Sequence, residues 1–276
     1  MCLIVIAWHA HPRYACVIAA NRDEFHGRPT APAAWWPDDP NVLAGRDLAA
    51  GGTWLGITRG GRFAALTNFR GPQPVPLHAP SRGLLVSAWL RSTEPTASAL
   101  ARLQRESPRY NGFNLILSDG VGLAAHQSVA GAGMALSDGI YGLSNHLLDT
   151  PWNKLLRAKE AVRSVLGGAA DALELLQVLR DERETPDDQL PDTGISRELE
   201  RRLSRTFIRS PEYGTRCSTI IRIGHDRQVS FDEWNWNPAG EEIDHRCFHY
   251  QLNREPPPNV GNSRQRLLRR GRTRKL

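Results

Sequence analysis

The chain has 276 residues, 40% of them hydrophobic, and a formal net charge of +6. This length is sufficient for one large buried core, and no apolar stretch approaches the roughly 20 residues of a membrane-spanning helix, so we expect a cytoplasmic protein without an integral membrane segment. Eight basic residues and one acidic residue fall within residues 254–276, which leaves the rest nearly neutral and argues against binding to nucleic acid. We predict one domain over residues 1–253 and a basic, disordered tail over residues 254–276.

The chain opens with two apolar segments, residues 3–8 and 14–20, which predict adjacent antiparallel strands. Such a hairpin would return the end of its second strand to the level of Cys2, with Asp23 just beyond it. The polar residues around Asp23 are also typical of a plain turn leading into a glycine and a proline, and the local sequence alone favours that simpler interpretation.

Cys2 could carry both a nucleophile and a base. Removal of an initiator methionine is usual when a small residue follows, and it would leave a thiol and a free α-amine on Cys2. In small peptides these groups titrate near about 8.5 and about 8, so the amine accepts the thiol proton at little cost near neutral pH. Nucleophile and base would then share one residue, and Asp23 would hold the amine.

The next segment, residues 27–47, contains four prolines and is predicted to be a loop. A β-hairpin over residues 53–58 and 62–67 is expected after it. Two helices should follow, the first with Ser81 as its N-cap and the second over residues 96–106.

The second half of the chain predicts strands, then helices, then strands. Residues 130–133 are interpreted as a glycine-rich separator and residues 181–194 as an exposed linker. This order suits two antiparallel sheets packed face to face with helices outside, rather than a doubly wound parallel sheet. The predicted elements are strands 113–117, 123–126 and 140–143, helices 152–166, 170–181 and 196–203, and strands 219–223, 229–233 and 246–252.

The cysteines and histidines predict no metal site and no cofactor. The four cysteines are widely spaced and include no C-x-x-C pair, which argues against a disulfide framework and a structural zinc site. His245, Cys247 and His249 alternate along one predicted strand and would share a face, an arrangement suited to zinc or haem iron. No acidic residues support these three donors, so packed or surface positions are the favoured interpretation.

Short blocks spread from residue 1 to about residue 235 closely resemble the NRDE family, whose eukaryotic members are known as transport and Golgi organisation proteins. Several blocks in order along nearly the whole chain are far more specific than any single motif. The blocks are Met1-Cys2, Asn21-Arg22-Asp23-Glu24-Phe25, Arg28-Pro29-Thr30, Gly45-Arg46-Asp47, Gly51-Gly52-Thr53-Trp54-Leu55-Gly56, Leu66-Thr67-Asn68-Phe69-Arg70 and Tyr213-Gly214-Thr215-Arg216-Cys217-Ser218-Thr219.

The resemblance implies an α+β fold, the four-layer αββα sandwich of N-terminal-nucleophile hydrolases. It is similar to the choloylglycine hydrolase and penicillin V acylase group, in which an N-terminal cysteine is the nucleophile. One departure is that the arginine those enzymes carry three residues before the aspartate is Ala20 here. The catalytic residues it implies are Cys2, Asp23, Asn68, Asn145 and Arg216, with the two asparagines as oxyanion donors, and the predicted substrate contacts are Asn21, Arg22, Trp54 and Arg70.

Two functions follow from these expectations. The first is an amidohydrolase that cleaves a linear or lipid-like acyl amide through an acyl-enzyme on Cys2. The alternative is a non-catalytic binding or trafficking protein for a hydrophobic ligand such as haem or an acyl-CoA, which agrees with the roles proposed for the family and with the paired Trp35 and Trp36. The expected partner is a small hydrophobic or acyl-amide molecule, with haem as a possible ligand.

Overall fold

Two antiparallel β-sheets stack face to face in the computed structural model, which describes residues 2–72 and 78–253. The strands of the described residues are β1 (Cys2–Trp8), β2 (Tyr14–Phe25), β3 (Thr30–Trp36), β4 (Asp39–Asp47), β5 (Leu55–Thr58), β6 (Phe63–Asn68), β7 (Phe113–Ser118), β8 (Leu123–Gln127), β9 (Ala132–Leu136), β10 (Gly139–Leu143), β11 (Tyr213–Gly224), β12 (Gln228–Trp236) and β13 (Glu242–Gln251). One sheet has six strands in the order β10-β1-β2-β11-β12-β13, and the other has seven, β3 to β9 in chain order.

Helices cover the outer face of each sheet. They are α1 (Gly83–Arg91), α2 (Thr96–Glu106), α3 (Asn153–Leu166), α4 (Ala172–Leu179) and α5 (Arg197–Leu203). The first two pack on the seven-stranded sheet, whereas α3 and α4 pack on the six-stranded sheet. The predicted four-layer αββα sandwich is therefore confirmed.

The apolar residues of β1 explain why this strand is inside the fold. Ile4 and Ile6 point into the core between the sheets, and Leu3 and Val5 point into the core beneath α3 and α4. All seven residues of β1 are buried, because a strand covered on both faces needs apolar side chains at successive positions. Among the described residues, no helix is long and apolar enough to cross a membrane.

Strand register brings distant residues to one end of the six-stranded sheet. Cys2 lies opposite Arg22 on β2, and Arg22 lies opposite Cys217 on β11. Residues paired directly across an antiparallel sheet share a face, so these three side chains are on the face toward the second sheet. Asp23, which pairs with Thr215, belongs to the opposite face, toward the helices.

The prediction of a loop over residues 27–47 is wrong, because β3 and β4 occupy most of this segment. Strand β3 is at the edge of its sheet, where a proline costs no ladder hydrogen bond on the open side. Its pairing with β4 is irregular between Ala31 and Ala34, which is where Pro32 lies. Of the two tryptophans at the end of β3, Trp36 is buried and Trp35 is partly exposed.

Three smaller expectations also need correction. Strand β9 begins within the predicted glycine-rich separator at residues 130–133. Helix α1 starts after Arg82 and has no side-chain cap, so Ser81 is not its N-cap. The segment 181–194 is not uniformly exposed, because it contributes buried residues such as Leu190 and Thr193. The remaining predicted elements are confirmed, although β2 ends five residues later and β11 begins six residues earlier than predicted. The predicted tail at residues 254–276 lies outside the described residues.

Candidate active site

Cys2 is the first residue of β1, and it lines a cleft between the two sheets. It is 8% exposed, so it is enclosed by protein on most sides. Its backbone nitrogen donates a hydrogen bond to Asn145 Oδ1 at 3.2 Å, and its carbonyl oxygen accepts one from Ser144 Oγ at 3.0 Å. The segment that follows β10 thus fixes the backbone on both sides of the thiol.

The Asp23 carboxyl lies one residue beyond the position that pairs with Cys2. Thr215 Oγ1 donates a hydrogen bond to Asp23 Oδ1 at 2.7 Å, and the Tyr213 hydroxyl donates to the Asp23 carbonyl at 3.1 Å. Burial raises the pKa of the Asp23 carboxyl, while the positive chain terminus and Lys154 oppose that shift. Asp23 is therefore held rigidly beside the start of the chain.

Burial also raises the pKa of the Cys2 thiol above its ordinary value, against the pull of the positive chain terminus. The backbone N–H of Asp23 donates a hydrogen bond to this sulfur, which favours the thiolate. A thiol with a raised pKa is protonated at neutral pH and needs a base at the moment of attack. The geometry therefore suits a nucleophile that loses its proton to an adjacent amine.

Lys154 is a buried cation beneath the site. It is on the first turn of α3, is only 2% exposed, and donates from Nζ to the Leu203 carbonyl at 3.0 Å. Burial lowers its pKa to about 8, and the charges of Asp23 and Cys2 act in the opposite direction. The helix side of the sheet thus holds a positive charge close to Asp23.

Both predicted oxyanion asparagines, Asn68 and Asn145, are close to Cys2, but their side chains have different hydrogen-bond partners. Asn145 uses its amide at both ends, accepting from the Cys2 nitrogen and donating from Nδ2 to the Asn68 carbonyl at 2.8 Å. The Asn68 side-chain amide makes no hydrogen bond to the described residues and lines the cleft with Cys2. Asn68 is therefore the freer donor, and Asn145 holds the Cys2 nitrogen.

The cleft has a volume of about 470 Å³ and a wall of mixed charge. Arg22 and Trp54 line it, as the sequence predicts for substrate contacts. Arg216, the extra residue of an irregular pairing between β2 and β11, also lines it. Its guanidinium donates to the carbonyls of Phe25 and Arg28 and to Thr30 Oγ1, so it holds the segment after β2.

Two residues predicted to contact substrate are engaged elsewhere. Asn21 is fully buried on the helix face of β2, where its Nδ2 donates to the carbonyls of Leu179 and Thr206 and its Oδ1 accepts from Ser218. Arg70 forms an ion pair of 3.0 Å with buried Glu200. Neither side chain lines the cleft with Cys2, and Arg70 instead lines a neighbouring groove.

That neighbouring groove is larger and mostly apolar. Its volume is about 820 Å³, and Asn68 lines both the groove and the cleft. Apolar side chains on the wall of the groove include Phe25, Phe69, Ile195 and Leu199. The groove thus places an apolar surface next to the cleft that holds Cys2.

Sequence reasoning did not identify Lys154 or Arg82 as site residues. Lys154 has a weak sequence signature, since it is in line with Ala158 and Val162 on the apolar side of α3. Arg82 has none, because its position depends on the close approach of two loops. A Cβ at Gly52 would lie 2.5 Å from the Gly83 carbonyl carbon, so glycine is needed where the Gly51-Gly52 block packs against the start of α1.

The His245, Cys247 and His249 side chains are on β13, away from Cys2. The Cys247 sulfur contacts His249 Nδ1 at 3.6 Å, and His245 Nε2 lies 3.3 Å from Asp232 Oδ1. Within residues 2–72 and 78–253, no group of three or more His, Cys, Asp or Glu side chains is arranged to hold a metal ion.

The sequence profile of the family described as Transport and Golgi organisation 2 matches residues 1–238. The chain belongs to this family. The Transport and Golgi organization protein 2 homolog of Bos taurus is 38% identical to it over 258 residues, covering 84% of this chain and 92% of that protein. Transport and Golgi organization protein 2 of Drosophila melanogaster is 27% identical over 260 residues, with 84% and 91% covered. The family predicted from the motif blocks is confirmed.

Solved structures similar to this Transport and Golgi organisation 2 family member include two hydrolases. One is the Caenorhabditis elegans N-acylethanolamine-hydrolyzing acid amidase ortholog, with a TM-score of 0.47, 9% identity and coverage of 79% of this chain and 92% of that one. The other is a variant of the conjugated bile acid hydrolase from Clostridium perfringens, with a TM-score of 0.49, 8% identity and coverage of 93% and 94%.

Proposed function

We propose that this protein is an N-terminal-cysteine amidohydrolase that cleaves an acyl amide through an acyl-enzyme on Cys2. The observation that carries the proposal is the setting of Cys2: an enclosed thiol at the start of the chain, opening into a cleft, with the Asp23 carboxyl one position beyond its strand partner. The hydrogen bond from the Cys2 nitrogen to Asn145 Oδ1 supports it, because the amine left by removal of Met1 would keep this partner.

The proposed reaction proceeds in two halves. The Cys2 amine accepts the thiol proton while the sulfur attacks the amide carbonyl carbon, and Asn68 Nδ2 donates to the oxyanion that forms. The C–N bond then breaks, the ammonium returns the proton to the leaving amine, and an acyl thioester remains. Water attacks this thioester with the same amine as base, and the C–S bond breaks. The carboxylic acid leaves, and the ammonium returns a proton to the Cys2 sulfur.

The apolar groove supports a hydrophobic acyl chain in the substrate. Asn68, the proposed oxyanion donor, lines both the groove and the cleft, so an acyl chain in the groove would bring its carbonyl group close to this amide. Each buried methylene contributes about 0.8 kcal/mol to binding, so chain length should affect affinity strongly.

Hydrolysis of N-dodecanoyl amides by the full chain, with loss of Met1 verified by intact mass, tests the proposal. Release of dodecanoic acid should fall below detection in Cys2→Ala and stay unchanged in Cys247→Ala, a control that removes an exposed thiol far from the cleft. Equal release by Cys2→Ala and the wild type would contradict it.

The groove also favours a second candidate, a carrier for an acyl-CoA or another hydrophobic ligand. Tyr213 is on its wall, but the tyrosine hydroxyl already donates a hydrogen bond to the Asp23 carbonyl, which favours an acyl chain over haem iron as the ligand. A carrier should bind dodecanoyl-CoA saturably in both the wild type and Cys2→Ala, with no amide or thioester cleaved by either.

A further inference from the structure

Five arginines line the cleft, but they differ in how their charge is balanced. Arg28 forms an ion pair with Asp47 at 2.7 Å, and Arg46 forms one with Asp38 at 2.5 Å. These two charges are neutralised within the fold. The five are Arg22, Arg28, Arg46, Arg82 and Arg216.

Arg82 and Arg216 have no carboxylate partner among the described residues. Arg82 donates to the Gly112 carbonyl at 2.9 Å, and the Arg216 guanidinium donates to backbone carbonyls and one hydroxyl. Burial lowers the pKa of both guanidinium groups. Both remain charged at physiological pH because arginine titrates far above it.

The acidic residues that line the cleft form no ion pair with Arg82 or Arg216, although the charge of Glu24 acts on both. Glu24 Oε2 lies 3.7 Å from Arg22 and 3.8 Å from Arg28. Asp244 is paired with Arg246 at 2.6 Å. Burial raises the pKa of Glu233, whose Oε1 accepts a hydrogen bond from the Ala33 backbone N–H at 2.7 Å. The cleft therefore presents to a ligand two guanidinium groups, those of Arg82 and Arg216, that form no ion pair with the described residues.

A desolvated guanidinium without a counter-ion is costly, whereas one that binds a carboxylate or phosphate forms strong, often bidentate hydrogen bonds. Arg82 also lies close enough to Cys2 for their charges to interact. An anion bound by Arg82 would thus be near the scissile bond. If the acyl chain occupies the groove beyond Asn68, this anion belongs to the other side of the amide, the leaving group.

We propose that the cleft selects acyl amides whose leaving amine carries a carboxylate or a phosphate, bound by Arg82 and Arg216. This inference rests on the proposed amidohydrolase function for the direction of the substrate. The argument for an anionic group rests on the two unpaired guanidinium groups and does not depend on cleavage of the amide.

Three N-dodecanoyl amides separate the contribution of the anionic group from that of the acyl chain. They are the ethanolamide, which is neutral, the phosphoethanolamide, which differs from it only by the phosphate, and the glycine amide, which carries a carboxylate. In the wild type, kcat/KM for at least one anionic amide should exceed that for the ethanolamide by about 100-fold, as expected for two charge-assisted contacts. The preferred anionic amide identifies which of the two anions the cleft accepts.

Arg82→Gln should reduce this preference by about 10-fold or more, mainly through KM, and leave hydrolysis of the ethanolamide within about 3-fold. Arg82→Lys should keep part of the preference, since it retains the charge but loses the forked geometry. Arg46→Gln is the matched control, because its guanidinium already binds Asp38, and it should leave the preference unchanged.

Binding to Cys2→Ala, measured by calorimetry, makes the test independent of turnover. The anionic amides should bind this variant at least 10-fold more tightly than the ethanolamide. Tighter binding without cleavage by the wild type would support the anion site and contradict the hydrolase. Cleavage of all three amides with equal efficiency by the wild type, with equal affinity for Cys2→Ala, would overturn the inference and leave the hydrolase intact.

Discussion

At the end of the six-stranded sheet that holds Cys2, the two faces of the sheet carry different kinds of side chain. The face toward the second sheet carries the thiol, Arg22 and Cys217 and borders the cleft. The helix face carries Asp23 and the buried ammonium group of Lys154, both shielded from solvent. Under the proposed function, the groups that would touch a substrate are therefore on one face, and the charges that would set their protonation are on the other.

The strongest test of this division is Asp23→Asn, which keeps the shape of the side chain and removes its charge. We expect turnover to fall by about 1,000-fold, because the amine of Cys2 would lose the carboxylate that orients it and stabilises its ammonium form. Steady-state hydrolysis of the preferred dodecanoyl amide measures the effect. Asp232→Asn removes a buried carboxyl from β12, away from the cleft, and should leave turnover within about 3-fold; equal losses in both variants would refute a specific role for Asp23.

Asn68→Ala tests the proposed oxyanion donor, which lines the cleft from β6. Loss of a single oxyanion donor typically reduces the rate by about 100- to 1,000-fold, so a drop of about 100-fold in kcat with little change in KM is expected. Asn114→Ala removes a buried amide of the adjacent strand that bonds to Thr67 and His146. That control should lower stability without a matching loss of kcat, and a loss of kcat only in the control would argue against Asn68.

Lys154→Met should have an intermediate effect that depends on pH. Near pH 7 the ammonium group helps Asp23 to stay charged, so the variant should be about 10-fold slower. The ratio of the two rates should approach one as the pH rises through about 8, where Lys154 loses its proton. A ratio that stays constant from pH 6.5 to pH 9 would show that Lys154 does not act through its charge.

The same substitution predicts a change in stability with a definite sign. The ordinary pKa of a lysine is 10.5, and the folded value for Lys154 is about 8. Between these values the unfolded chain holds a proton that the folded chain has released, so the free energy of unfolding gains a positive slope with pH from this residue. Urea titrations between pH 7 and pH 10 should show the wild type gaining stability relative to Lys154→Met over that range. A constant difference would contradict the lowered pKa.

Cys217→Ser should have the smallest effect. Cys217 lines the cleft and lies beside Arg22, but burial raises the pKa of its thiol well above the ordinary value, and no amine base is attached to it. Turnover within about 2-fold of the wild type is expected. Trapping of an acyl group on Cys217 instead of Cys2 would reverse the assignment of the nucleophile.

Local patterns in the sequence were sufficient for much of the scaffold. The apolar run before residue 8 predicts β1, and the spacing of apolar residues predicts α2 with its observed ends. The patterns failed at β3 and β4, because prolines predict a loop unless it is known that the strand lies at a sheet edge. Edge position is a property of the whole fold and is not encoded locally.

The candidate site was predictable only where the motif blocks point to it. Asp23 lies one residue beyond the strand partner of Cys2 because two neighbouring strands form a hairpin, which a local pattern reveals. Lys154 reaches the site from α3 and Arg82 from the loop before α1, so their positions depend on packing that no short window contains. Asn21 is a site residue that the motif block at residues 21–25 predicted wrongly. The block suggests a substrate contact, but strand alternation directs the Asn21 side chain to the helix face.

The central claim, that the sulfur and the amine of Cys2 act together, is tested most directly by trapping the acyl-enzyme. Chain lacking Met1 and chain retaining it are each mixed with a p-nitrophenyl ester of dodecanoic acid, and intact mass with peptide mapping follows the added acyl group. The account predicts one dodecanoyl group on Cys2 in the chain without Met1, formed at least about 100-fold faster than in the chain that keeps it. Equal rates in the two chains, or an acyl group on another residue, would contradict it.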